Sequence, residues 1–165
     1  MIGRIAAALA LLMALIGPAS ADAWQTYANE RFGATADVPA DWRAGEPPAN
    51  GDGLAFTSAD GAARITVSGS LQTFDTIAEA MASYEAPNDG ETVTYRHRGK
   101  RSVVVSGTSG DRIFYRKSIL SCADTIWNSV SIDYPAADKS AYDALVTHVA
   151  GSLRAGPGWQ AADCG

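Results

Sequence analysis

The chain has 165 residues, of which 47% are apolar and 19% charged, and its formal net charge is −5. That balance points to one domain with a packed core and argues against nucleic acid as a partner, because binding a phosphate backbone calls for a basic surface. Its 16 glycines and seven prolines are scattered rather than clustered, which implies many turns and no low-complexity linker.

Residues 1–21 have the three parts of a secretory signal: Arg4, an apolar run over 5–16, and the small-residue site Ala19-Ser20-Ala21. The run is shorter than the roughly 20 residues a membrane-spanning helix needs. Cleavage is predicted before Asp22, with Trp24 as the second choice and an uncleaved anchor as the disfavoured alternative. Residues 22–165 are then expected as one exported domain, periplasmic or extracellular, that does not span a membrane after cleavage. Phe32 and the Ala34/Ala36/Val38 alternation predict a short strand that ends at Pro39 and Trp42. Residues 45–53 form a turn-rich loop with Asn50-Gly51 and Asp52-Gly53. Strands follow at 54–58 and 63–71, joined through Asp60-Gly61, where the glycine supplies a positive φ.

A helix is predicted over 76–86. Ile77, Ala80, Met81 and Tyr84 make its apolar stripe, and Thr76 with Glu79 has capping-box spacing. Four strands come next, at 91–97, 101–107, 112–122 and 125–134, the last broken in its alternation by polar Asn128. Their connections are too short for parallel crossovers, so neighbours must be antiparallel. In the first of these runs, Arg96 and Arg98 are expected on one face and Val93, Tyr95 and His97 on the other. A closing helix over about 137–154 carries Tyr142, Leu145, Val146, Val149 and Leu153, and Gly156 and Pro157 stop it. The order β-β-β-α-β-β-β-β-α predicts an α+β fold, a twisted antiparallel sheet covered by two helices.

Cys122 and Cys164 both lie in the exported part, where two cysteines usually pair. A structural bridge is favoured over two free thiols or a redox pair, because C-x-x-C spacing is absent. It would tether the C-terminal tail to the domain.

The element order and the entry residues Tyr27, Phe32-Gly33, Val38-Pro39 and Trp42 resemble the PsbP-like superfamily of α/β/α sandwiches, in an exported bacterial branch. The resemblance spans residues 24 to about 153 and implies that fold. It transfers no catalytic or metal residue, since the matching positions are turn and core residues and the fold hosts unrelated roles. The cysteine pair and the tail lie outside the pattern.

A catalytic triad needs a histidine oriented by an acid, and only His97 and His148 are present. His148 falls off the apolar stripe of its helix, and His97 lies among arginines. Ser109 has Gly107 two residues before it but Asp111 two residues after it, so it misses the G-x-S-x-G of a nucleophile elbow and reads as a hairpin turn. Two remote histidines and two paired cysteines make no zinc set, and Asn50, Asp52 and Asp60 lack calcium-loop spacing. No nucleotide fingerprint occurs, so no catalytic residue, metal or cofactor is expected.

Charge is the remaining signal. Arg96, Arg98, Lys100, Arg101, Arg112, Arg116 and Lys117 fall in one window whose single acid is Asp111, within a chain of 13 Lys+Arg and 18 Asp+Glu. This region is a candidate patch for an anionic envelope component, such as anionic lipid or lipopolysaccharide, or for an acidic protein surface. The competing reading is a solvated hairpin whose charges guard against strand-to-strand aggregation. The leading functional expectation is a non-enzymatic binding module. The alternative is a small hydrolase or ligand carrier with a pocket between sheet and helix, using hydroxyl side chains and His97.

Overall fold

A computed structural model describes residues 23–161 and Cys164; the predicted signal and its cleavage site lie outside the described residues. The strands are β1 (Trp24–Ala28), β2 (Ala34–Pro39), β3 (Arg43–Ala44), β4 (Gly53–Thr57), β5 (Arg64–Leu71), β6 (Glu91–Arg98), β7 (Ser102–Ser109), β8 (Arg112–Ser121), β9 (Ile126–Pro135) and β10 (Arg154–Ala155). The helices are α1 (Ile77–Glu85) and α2 (Lys139–Ser152). Seven strands make one antiparallel sheet in the order β3-β4-β5-β9-β8-β7-β6, while β1, β2 and β10 make a separate three-stranded sheet. The meander β6–β9 arises from its tight turns, and it folds back so that β9 pairs with β5 along its length.

Local signals in the sequence set the ends of several elements. Thr76 is extended, its hydroxyl accepts the Glu79 N–H at 3.1 Å, and the Glu79 carboxylate accepts the Thr76 N–H at 3.1 Å, so the predicted capping box starts α1. Gly61 takes φ +76° in the β4–β5 turn. The closing helix begins two residues later than predicted, because Ala136–Asp138 first forms a 3-10 turn after Pro135.

The alternation of β5, β8 and β9 feeds two cores. On one face α1 packs Ala80 and Met81 against Val103, Val105, Phe114, Leu120 and Trp127. On the other face α2 and the small sheet lie side by side, burying Val149, Leu153, Ala34, Ala36 and Val38 against Ile65, Val67, Val130 and Ile132. These three layers are the predicted sandwich, with the small sheet as an addition beside α2. Asn128, the break in the β9 pattern, points into this second core and is fully buried. Its amide donates to the Phe32 carbonyl at 3.0 Å and accepts from the Ser121 hydroxyl at 2.8 Å, which satisfies a group that would otherwise be costly to bury.

One strand departs from strict alternation. A bulge between Val93 and Tyr95 in β6 moves Val93 to the side of Arg96, where it packs under α1 rather than sharing a face with Tyr95 and His97.

Cys122 and Cys164 are disulfide-bonded. Residues 159 and 160 are laid along the β1–β2 connection: Trp159 donates its backbone N–H to the Glu30 carbonyl at 2.9 Å and Gln160 to the Arg31 carbonyl at 2.8 Å. Closing a loop of this length is worth about 4 kcal/mol by chain entropy. That value comes from restricting the denatured chain and is an upper bound, so reduction is expected to cost about 2–4 kcal/mol, and to free the tail before the sheet. A melting temperature unchanged by reductant would contradict it.

Candidate functional site

The register across β6, β7 and β8 decides where the predicted basic residues go. Arg96 pairs with Val105 and Val105 with Arg116, so both arginines emerge on the α1 face, as do Arg98 and Arg112. Lys117 emerges on the α2 face, and Lys100 and Arg101 lie in the β6–β7 turn. The seven residues thus do not form one surface.

Five of them are occupied internally. Arg98 makes a two-point contact with Glu85 at the end of α1, through Nε at 2.7 Å and Nη2 at 2.5 Å. Arg116 pairs with Glu91 at 3.0 Å and donates to the Ala86 carbonyl at 3.1 Å. Lys117 donates to the Ala150 carbonyl at 2.6 Å. The last carbonyls of a helix lack partners within it and carry partial negative charge, which cations satisfy. Both helices end over the β6–β8 region, and that accounts for Arg116 and Lys117, which bond such carbonyls, and for Arg98, which bonds the side chain of the last α1 residue.

Arg112 pairs with Asp133 and donates to the Ala62 carbonyl at 2.8 Å. Arg101 pairs with Asp124 at 3.0 Å, in a turn where Cys122, Ala123 and Asp124 all have positive φ. Non-glycine residues in that region cost about 1 kcal/mol or more each, so a fixing contact is of use there. Arg96 and Lys100 make no ion pair or hydrogen bond among the described residues. Both are exposed, beside exposed Tyr95 and His97.

The Arg98 contact holds the Glu85 carboxyl below its ordinary value, chiefly through the two hydrogen bonds. A carboxylate whose pKa is lower folded than unfolded adds stability above its unfolded value, and that stability is lost as pH falls through the folded one. Melting temperature should therefore decline below about pH 5, and Arg98→Ser should flatten part of that acid limb. Parallel curves for parent and variant would refute the link.

An open hollow lies between the end of β5 and the C-terminal half of α1. This cavity of about 630 Å3 is lined by Ser70, Phe74, Tyr84, Arg116 and, from the β1–β2 connection, Arg31 and Phe32. A smaller hollow of about 280 Å3 beside it is lined by Ser68, Ser118, Ser129 and Ser131. The Tyr84 hydroxyl bonds Ser70 at 2.9 Å, and burial raises its pKa. Arg31 stacks over Phe32 and Trp159 and donates to the Asn50 carbonyl at 2.6 Å. Its place in this cavity had no sequence signal, because it depends on where the tail runs. His97 is not part of the cavity; it lines a cleft on the α2 face with Ser102 and Lys117. His148 bonds Asp37 at 3.1 Å and stacks on Trp24 at 3.9 Å.

No protein-family model matches the chain, and no curated protein matches it. Among solved structures it is similar to the solution structure of cyanobacterial PsbP (CyanoP) from Synechocystis sp. PCC 6803, with a TM-score of 0.60 and 12% identity, over 87% of this chain and 98% of that one. At that identity the likeness is one of fold: the architecture is PsbP-like.

Proposed function

We propose that this PsbP-like chain is an exported, non-catalytic binding module that docks on an anionic envelope component. The observation that carries the reading is the pair of unpartnered cations, Arg96 and Lys100, on the exposed edge strand β6 and its turn. Their five neighbours in sequence hold the fold, so the docking surface narrows from the whole basic window to these two residues on the edge strand and its turn. Export is supported by the signal-like leader and by a disulfide that suits an oxidising compartment.

Each cation near an anionic bilayer contributes about 1 kcal/mol at low salt, so Arg96→Ser with Lys100→Ser should weaken binding to phosphatidylglycerol vesicles by roughly thirtyfold. Arg98→Ser should leave the affinity near that of the parent while lowering the melting temperature. Co-sedimentation over a salt series reads both effects. Equal affinity for the double variant and the parent would sink the proposal.

A second reading is favoured by the hollow beside α1, whose volume suits a small ligand. A carrier or small hydrolase would use Arg31, Ser70 and Tyr84 there. A ligand-shift and esterase screen tests it, and a rise in melting temperature abolished by Tyr84→Phe would support it.

A further inference from the structure

On the opposite side of the sheet, at the start of α2, a second cavity has chemistry of the other sign. It measures about 520 Å3 and is lined by Trp24 of β1, Trp42 after β2 and Tyr142 of α2, with the carboxylates of Asp41, Asp60 and Asp138 around them. No lysine, arginine or histidine lines it among the described residues.

The rings are held in place by packing behind them. Trp24 stacks on His148 with an interplanar angle of 15°, Tyr142 stacks on Tyr134 at 4.9 Å, and Trp42 is buried in the core. Asp60 is fixed by the Ser58 hydroxyl at 2.5 Å and the Ala62 N–H at 3.0 Å. Asp138 is the N-cap residue of α2, but its side chain makes no capping bond. Its charge offsets the positive end of that helix, which leaves Asp41 and Asp60 as the surplus.

Aromatic faces attract cations through their quadrupoles, most strongly where water is excluded. Burial raises the Tyr142 pKa, and the fields of Asp60 and Asp138 raise it further against the opposing charge of Arg112, which stands outside the cavity lining. No group of three metal-ligating side chains is close enough to hold a metal ion among the described residues. The negative charge is spread around apolar walls rather than focused on a point. That arrangement suits a bulky, weakly hydrated ion.

We propose that the Trp24–Trp42–Tyr142 cavity binds a small organic ammonium ion. The occupant is cationic and the surface is separate from the β6 hairpin, so this site stands or falls independently of the anion-docking reading.

Choline titrated into the 15N-labelled protein is the test. The indole N–H resonances of Trp24 and Trp42 should move saturably, while those of Trp127 and Trp159 stay fixed. The uncharged isostere 3,3-dimethylbutanol should bind about tenfold more weakly, since it keeps the shape and loses the cation–π term. Asp41→Asn, at an exposed position, and Trp24→Leu should each weaken choline binding, Trp24→Leu by about tenfold. Equal binding of the isostere would overturn the proposal. So would fixed Trp24 and Trp42 resonances, or variants at both positions that bind choline like the parent.

Discussion

Trp127→Ala is expected to cost about 4 kcal/mol, the largest effect of any single truncation in the α1 layer. Trp127 is 1% exposed and is the largest side chain of the small core beneath α1. Its ring lies 4.6 Å from that of Tyr84, and its indole N–H donates to Gln72 at 3.4 Å. Truncation removes the largest of the side chains α1 packs on, beside Val103, Val105, Phe114 and Leu120, and a helix of nine residues does not hold in water without a buried face. Chemical denaturation should show the loss, and Trp127→Phe should recover more than half of it. A cost below about 1 kcal/mol would mean that α1 docks by other contacts. Since Ser83 and Tyr84 of α1 form one wall of the larger hollow, the same variant should abolish any ligand-induced stabilisation there.

Arg116→Met should be the second most damaging change, at about 3 kcal/mol. Arg116 and Glu91 are only 19% and 11% exposed, and removing the cation leaves a carboxylate with little access to water. The variant also releases the Ala86 carbonyl at the end of α1 and removes the guanidinium from above Phe114, where it sits 4.8 Å from the ring centre. The companion Arg116→Met/Glu91→Met should regain most of the stability, because it buries no unpaired charge. A double-mutant cycle then reads the coupling directly. If Arg116→Met alone is neutral in stability yet weakens anion binding, Arg116 belongs to the docking surface rather than to the fold.

The contrast between Arg116 and Arg96 shows how far a charge pattern can be read. In sequence they are members of one basic run, separated by strands that alternate in the ordinary way. Arg98, Arg101, Arg112 and Arg116 find their carboxylates 13, 23, 21 and 25 positions away, in a helix end, a turn and two other strands. No local window contains both members of such a pair. Arg96 differs from Arg98 in making no direct contact with Glu85, whose charge it feels only through space, and that is a property of where α1 ends. The bulge at Val93 was hidden for a similar reason, since strand parity holds only while the register does.

Other features were legible because their causes are local. Thr76 and Glu79 are three residues apart, so their reciprocal bonds need only one helical turn to form. The β6–β9 meander follows from turns too short to do anything else, and Asp60-Gly61 selects its hairpin by backbone sterics. β1 was missed as a strand because its residues show no clean alternation of burial; it lies at the edge of the small sheet and gains its place by pairing with β2. Asn128 was flagged as an exception in its pattern, but its partners, Phe32 and Ser121, were not apparent.

The sequence by itself determined the α+β class, the antiparallel meander and a single possible cysteine pair, because periodicity, turn chemistry and residue counts act over a few positions. Only the tertiary structure decided which charges are spent on helix ends and strand pairs and which remain for a partner. It also brought Trp24, Trp42 and Tyr142 to one cavity from three distant segments. The physical reason is the same in both cases: a side chain's electrostatic role depends on what lies within a few ångströms of it, and in a sheet of mixed order those neighbours come from elsewhere in the chain.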